Sequence, residues 1–249
     1  MARTVRQGAF VAREAAEAPP LERDGSHGMT NKHRWLEKRP VQFSLLAFVA
    51  VVIGGMIEII PTIVVKSNIP TIAAVRPYTP LEVEGRDIYI REGCNTCHSQ
   101  MVRPFRFETE RYGEYSKAGE FVYDHPFLWG SKRTGPDLHR VGGKYSHLWH
   151  YLHMQEPTSM SPGSIMPRFP WLLENSLDVS TTPAKISALR TVGVPYPNGY
   201  EEQAVTELEL QAQQITQDLQ TQGAPAEPDK EIIALIAYLQ RLGTDIKGV

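Results

Sequence analysis

The pentapeptide Cys94-Asn95-Thr96-Cys97-His98 is the part of this sequence whose residue types and spacing most directly specify a chemistry. Two thiols three positions apart, followed at once by an imidazole, form the C-x-x-C-H pattern of c-type haem attachment. The thiols add across the two vinyl groups of the porphyrin, so their spacing must match one ring edge. The adjacent histidine then lies beneath the iron as its proximal ligand. The chain has no other cysteine, which is too few for a secreted disulfide scaffold. Three other chemistries share part of the pattern. A thioredoxin-like redox pair expects a βαβ setting, which the flanking sequence lacks. A structural zinc site needs further donors, for which His147, His150 and His153 are available. A disulfide closed across C-x-x-C is strained as a purely structural link.

A haem that carries electrons favours six ligands, so that a change of oxidation state moves few atoms, and methionine as the sixth raises the potential. The methionines beyond His98 are Met101, Met154, Met160 and Met166. Met101 is too near His98 along the chain to reach the opposite haem face. Met166 precedes Pro167, which biases it to an extended backbone able to present the thioether. Met160 lies in a similar Ser/Pro-rich loop without the adjacent proline and ranks second. A ligating histidine donates its other ring N–H to an acceptor. The Pro136 carbonyl, in Thr134-Gly135-Pro136-Asp137-Leu138, is a candidate, although Gly-Pro taken alone reads more readily as an ordinary turn.

The elements that position these residues read as helices. Thr79, Pro80 and Glu82 form a capping box with proline at the first helical position. This predicts a helix from about residue 80 toward Gly93, ending at the cysteine motif. Residues 100–171, rich in Gly, Pro, aromatics and His, read as loops and short helices. A helix is predicted at about 201–220, with Val205, Leu208, Ile215 and Leu219 facing inward. Gly223, Pro225 and Pro228 then interrupt the chain. Ile232, Leu235, Ile236, Leu239 and Leu242 mark a last amphipathic helix that Gly243 would close. The expected fold is mainly α.

Residues 41–65 form an apolar run of 25 with one formal charge, Glu58, long enough to span a hydrocarbon core as a helix. A cleaved signal peptide fits less well, because its apolar core is shorter and no small-x-small site follows. Lys32, Arg34, Lys38 and Arg39 precede the run, against Lys66 and Arg76 after it. The positive-inside bias therefore predicts a cytoplasmic N-terminus and an outer location for the rest. Three segments result: a cytoplasmic tail over 1–40, with 1–28 read as disordered, an anchor over 41–65, and a haem domain over 66–249. Glu58 is expected to face a protein partner rather than lipid. The net charge of -2 offers no basic footprint for nucleic acid.

Longer stretches resemble the mono-haem cytochrome c subunit, subunit II, of cbb3-type cytochrome c oxidases. They are Gly85 through Cys94, Cys97 through Pro104, Glu110-Arg111-Tyr112-Gly113, Asp124-His125-Pro126 and Trp129 through Leu138. Ser164 through Leu172, Gly193-Val194-Pro195-Tyr196, Ala237 through Gly243, and Gly54-Gly55 with Glu58 in the anchor complete the set. The resemblance covers roughly residues 29–246. It implies a class I cytochrome c-like domain with long loop insertions behind one transmembrane helix. Tyr89 and Tyr238 would lie where the helix near 80–93 crosses the last helix. It also implies one covalent haem c on Cys94 and Cys97, with His98 and Met166 as axial ligands and Pro136 as acceptor for His98. The expected setting is the bacterial inner membrane, with the haem domain in the periplasm. Expected partners are a membrane-embedded haem–copper catalytic subunit, a dihaem cytochrome c subunit, a soluble donor cytochrome c and the lipid bilayer. With no nucleophile or acid–base pair evident, the chain is expected to transfer electrons rather than to be an enzyme by itself. The alternatives are the mono-haem subunit of a nitric oxide reductase and a haem-based sensor with an open sixth site. A peroxidase would need an open iron and a positioned acid or base. His125, His147, His150 and His153 read instead as surface or loop hydrogen-bonders.

Overall fold

The computed structural model describes residues 32–247, which fall into two compact units, one ending at Val64 and the other beginning at Val65. The segment 1–28 lies outside the described residues.

The first unit holds α1 (Lys32–Glu37) and α2 (Pro40–Val64). Helix α2 has 25 residues, and none of them is buried. Val51 is 74% and Ile63 70% exposed, which is tolerable only for a helix immersed in hydrocarbon or packed on a partner. Among the described residues it is the one helix long and apolar enough to cross a membrane. Glu58 is exposed on it, and its carbonyl accepts from the Thr62 hydroxyl. The expected tail is helical over α1.

The second unit is helical, and among the described residues it contains no strand, only an isolated bridge between Ser176 and Lys230. Its frame is the crossing of α3 (Pro80–Arg91) and α11 (Glu231–Arg241). Helix α3 starts as its sequence requires: the Thr79 side chain accepts from the Glu82 amide, and the Glu82 carboxylate accepts from the Thr79 amide. At the crossing, a Cβ on Gly85 would stand 1.9 Å from the Ala234 carbonyl oxygen. Only a glycine lets the two backbones approach so closely. Tyr89 packs edge-on against Tyr238 at 5.4 Å, and Tyr78 lies 5.8 Å from the same ring.

Helix α11 departs from a one-sided helix. Besides the five predicted inward positions, Ile233, Ala234, Ala237 and Tyr238 are buried. It is a central helix enclosed on all sides, which is why its apolar character extends past one stripe. Gly243 follows it with φ 66°, the left-handed position that closes a helix. Helix α10 (Ala204–Thr221) buries Leu208, Ile215 and Leu219, while Val205 is only half-buried. Between these elements come α4 (Cys94–Cys97), α5 (Arg106–Tyr112), α6 (His147–Gln155), α7 (Pro157–Met160), α8 (Trp171–Glu174) and α9 (Thr182–Thr191). Helices α6 and α9 stand where the sequence offers no clear period. Helix α9 helps to form a separate small core with Val83, Val194, Tyr196 and Ala204 around Ile186.

Candidate functional site

Helix α3 delivers the pentapeptide. After Glu92 the chain turns through Gly93, whose φ of 71° is the left-handed conformation that glycine adopts without strain. A single helical turn then places Cys94 and Cys97, with the Thr96 hydroxyl donating to the Gly93 carbonyl at 2.7 Å. The two cysteines are not joined to each other; Cys94 is half-buried and Cys97 exposed. Burial, reinforced by the Glu92 carboxylate, pushes the Cys94 thiol up to about 12.

His98 leaves the turn in an extended conformation, its amide still donating to the Cys94 carbonyl at 2.9 Å. Its Nδ1 lies 2.8 Å from the Pro136 carbonyl oxygen. A carbonyl only accepts, so Nδ1 carries the proton and Nε2 keeps its lone pair. Burial holds the ring below the ordinary imidazole range, despite the Pro136 hydrogen bond. The 134–138 loop is fastened to the motif by backbone bonds, Gly135 to Cys97 at 3.0 Å and Leu138 to Ser99 at 2.8 Å. Gly135 lies flat against the imidazole; a Cβ there would meet Cε1 at 2.2 Å.

Asp137 is the functional residue that sequence reasoning missed. It is buried and accepts from the Ser99 hydroxyl at 2.6 Å, the Met101 amide at 2.8 Å and the His139 amide at 2.9 Å. Three donors on one carboxylate lock the segment after His98 to the loop that orients it. The available signal was an Asp just after Gly-Pro, able to bond the amide two residues on. Arg133 extends the lock, donating to Ser99 at 2.8 Å and to the Met101 carbonyl at 2.9 Å. Gln100 joins it to the helix crossing through Tyr238 at 3.0 Å.

The two methionine candidates differ. Met166 is half-buried and packs against the core cluster that also takes in Cys94 and Leu138. Its loop is fixed to the end of α6 by the Phe169 amide donating to the Met154 carbonyl at 2.9 Å. Met160 closes the short α7 and has no such place in the core.

The histidines expected at the surface divide. His147 is half-buried and pairs with Asp218 at 2.8 Å. His150, in contrast, is 2% exposed, and burial pushes it down to about 4, so it is a neutral core residue. His153 is half-buried and stacked on Trp149 at 4.5 Å. No group of three His, Cys, Asp or Glu side chains among the described residues is arranged to hold a metal ion.

The residues fit a haem. One imidazole is oriented with a free Nε2, two thiols sit on one turn beside it, a glycine cradles the ring face, and a thioether lies in the adjoining core. The fold and this site together define a helical protein with a C-x-x-C-H motif, whose chain includes a helix able to cross a membrane. The chain belongs to the family described as cytochrome c oxidase, mono-heme subunit/FixO, whose model matches residues 33–246. No curated protein matches the chain. It is therefore a mono-haem subunit of a cytochrome c oxidase complex.

Proposed function

We propose that this chain is the electron-transfer subunit of a cbb3-type terminal oxidase. One haem c would be covalently attached through Cys94 and Cys97, with His98 and Met166 to ligate its iron and Pro136 as the acceptor that orients His98. The observation that carries this reading is the 2.8 Å bond from His98 Nδ1 to the Pro136 carbonyl. It leaves Nε2 unprotonated, the form an iron requires, next in the chain to the two cysteines. When bound, the haem supplies a one-electron couple. The chain's residues do the rest: the Pro136 carbonyl and Gly135 hold the imidazole, Asp137 ties their loop to the segment after His98, and the packed loop of Met166 would present its thioether to the iron. A haem held by His98 and Met166 would supply electron transfer rather than substrate chemistry, and on this reading the chain is not an enzyme by itself.

In this reading residues 1–40 are cytoplasmic, 41–65 cross the bacterial inner membrane, and 66–249 form the periplasmic haem domain. The cationic residues before α2 support that orientation. Electrons arrive from a dihaem cytochrome c subunit or a soluble donor cytochrome and leave to a membrane-embedded haem–copper subunit that reduces oxygen. The test is recovery of the full chain from membranes in mild detergent. A large polytopic haem–copper protein and a dihaem cytochrome should accompany it, the preparation should consume oxygen, and haem should stay on the chain in a denaturing gel. Recovery with a nitric oxide reductase catalytic subunit, or loss of haem on denaturation, would overturn the reading.

A further inference from the structure

His153 carries a buried polar atom that the fold does not use. Its ring nitrogen Nδ1 is shut off from solvent and, among the described residues, meets no hydrogen-bond partner. The rings on either side of it in function are served differently: His98 Nδ1 lies 2.8 Å from the Pro136 carbonyl, and His147 Nδ1 lies 2.8 Å from Asp218. Buried side-chain polar atoms are paired in the large majority of cases, and an orphan calls for an explanation. His150 Nε2 is orphaned as well. Of the two rings, however, His153 is the one close enough to His98 for charge on one to disfavour charge on the other, whereas His150 responds to His153 and His147.

The His153 ring is held in one orientation. It stacks on Trp149 with centroids 4.5 Å apart and planes within 18°, and Trp149 stacks on Tyr145 at 4.1 Å and 15°. The i, i+4 spacing of these residues puts the rings one above another along a single face. The last turn of α6, which carries His153, is pinned in turn to the Met166 loop. The Phe169 amide donates to the Met154 carbonyl at 2.9 Å, and Arg168 Nε donates to the Gln155 carbonyl at 3.3 Å. The orphaned nitrogen therefore belongs to a clamped ring, near His98 and on the turn that fastens the Met166 loop.

Three partners compete for it: the Met166 sulfur, the iron and a carboxylate. The sulfur belongs to the chain, and His153 Nδ1 has no sulfur acceptor within reach. An imidazole that ligates iron has its other nitrogen held by an acceptor, as Pro136 holds His98; His153 is oriented by a ring stack instead. Besides its iron, a haem brings two carboxylates. Burial, followed by the His98 ring, holds His153 below the ordinary imidazole range, so it is neutral and carries a single N–H. None of the chain's carboxylates acts on this ring, so an incoming one meets no like charge there. A carboxylate leaving water needs a donor already in place, and a clamped, unpaired N–H is such a donor.

We infer that His153 is a positioning residue for the haem, its Nδ1–H, aligned by Trp149, donating to a carboxylate of the haem bound at His98. This rests on the functional reading above and goes beyond it, since that reading assigns the iron ligands and the covalent links and leaves the haem carboxylates without a partner. The bond seats one edge of the haem. It also draws negative charge away from the iron's surroundings, which favours the ferrous form.

The test uses the full haem-loaded chain purified in mild detergent. In the reduced protein made with isotope-labelled histidine, the His153 Nδ1–H proton should show a nuclear Overhauser contact to a propionate methylene group of the haem. His153→Leu should keep its covalent haem stain, shift the propionate bending band in the resonance Raman spectrum and lower the redox potential. His153→Gln, which retains a side-chain N–H, should bring both back toward wild type; a merely structural role would move neither in this way. A contact from Nδ1–H to the Met166 methyl group instead, an unshifted propionate band in His153→Leu, or loss of an iron ligand in that variant would each overturn the assignment. If His153→Leu fails to accumulate haem, the wild-type Overhauser contact decides. A wild-type chain without covalent haem overturns the functional reading, whereas covalent haem with no contact to His153 overturns only the role of this residue.

Discussion

Gly85→Ala tests the frame on which the site stands. The added Cβ would lie 1.9 Å from the Ala234 carbonyl oxygen, 2.5 Å from its carbon and 2.9 Å from Tyr238 Cβ. Carbon and carbonyl oxygen tolerate roughly 3.3 Å, so α3 and α11 must part by on the order of 1 Å. No rotamer change relieves this, because the nearest atoms are backbone. A gap of about 0.5–1 Å already forfeits a quarter to a half of each dispersion contact, and the crossing includes Leu81, Ile88, Tyr89, Ile232 and Tyr238, all buried. Overpacking of this kind costs about 1–3 kcal/mol, and a rigid backbone clash belongs at the upper end or beyond. Alanine's better helix propensity returns about 0.5–1 kcal/mol. The net loss is about 2–3 kcal/mol, which lowers the melting temperature of a domain this size by about 5–10 °C. Thermal unfolding of the detergent-purified chain, followed by far-ultraviolet circular dichroism, measures it. A melting temperature within about 2 °C of wild type would refute the reasoning that the crossing is backbone-tight.

Other outcomes follow from the same geometry. Gly135→Ala forces the His98 ring off the Pro136 carbonyl, at a cost of about 1–3 kcal/mol; the ferric electron paramagnetic resonance spectrum should become heterogeneous, and an unaltered spectrum counts against the cradle. Met166→Leu should abolish the weak long-wavelength band of a sulfur-ligated ferric haem and lower the potential; a retained band moves the ligand to Met160. For Glu120, burial favours a raised pKa, but His139 and Arg140 outweigh it and hold the carboxyl at about 2, and Glu108 lies equally low. Both titrate below their ordinary value of 4.5, so their stabilisation is complete above that pH and drains away as pH falls toward 2. Acid unfolding should therefore span that window, and Glu108→Gln, which strands its partners Arg103 and Arg133, should cost about 3 kcal/mol at neutral pH with a flatter acid limb. Glu58→Gln should reduce co-purification of the membrane partner without changing the haem potential; undiminished recovery would show that the carboxylate does not pack against it.

The sequence alone determined what depends on neighbours along the chain. The Thr79–Glu82 cap, the glycine closing α11, the apolar length of α2 and the covalent spacing of Cys94, Cys97 and His98 are all set within a few residues, and local geometry allows each little else. It also ranked Met166 ahead of Met160 as the proposed methionine ligand, because Pro167 restricts its predecessor. Tertiary structure decided everything that joins distant segments. A Gly-Pro at 135–136 reads as a turn until the fold brings it against His98. Asp137 looks like a turn residue until Ser99 and Met101, from a segment some 36–38 residues away, add their donors to that of His139. The burial of His150, the small core around Ile186 and the exposure of Phe105 and Phe107 are likewise invisible to periodicity. A hydrophobic or polar residue in an irregular loop has no local pattern to say which side faces protein, and only the packing of the helices around it settles that.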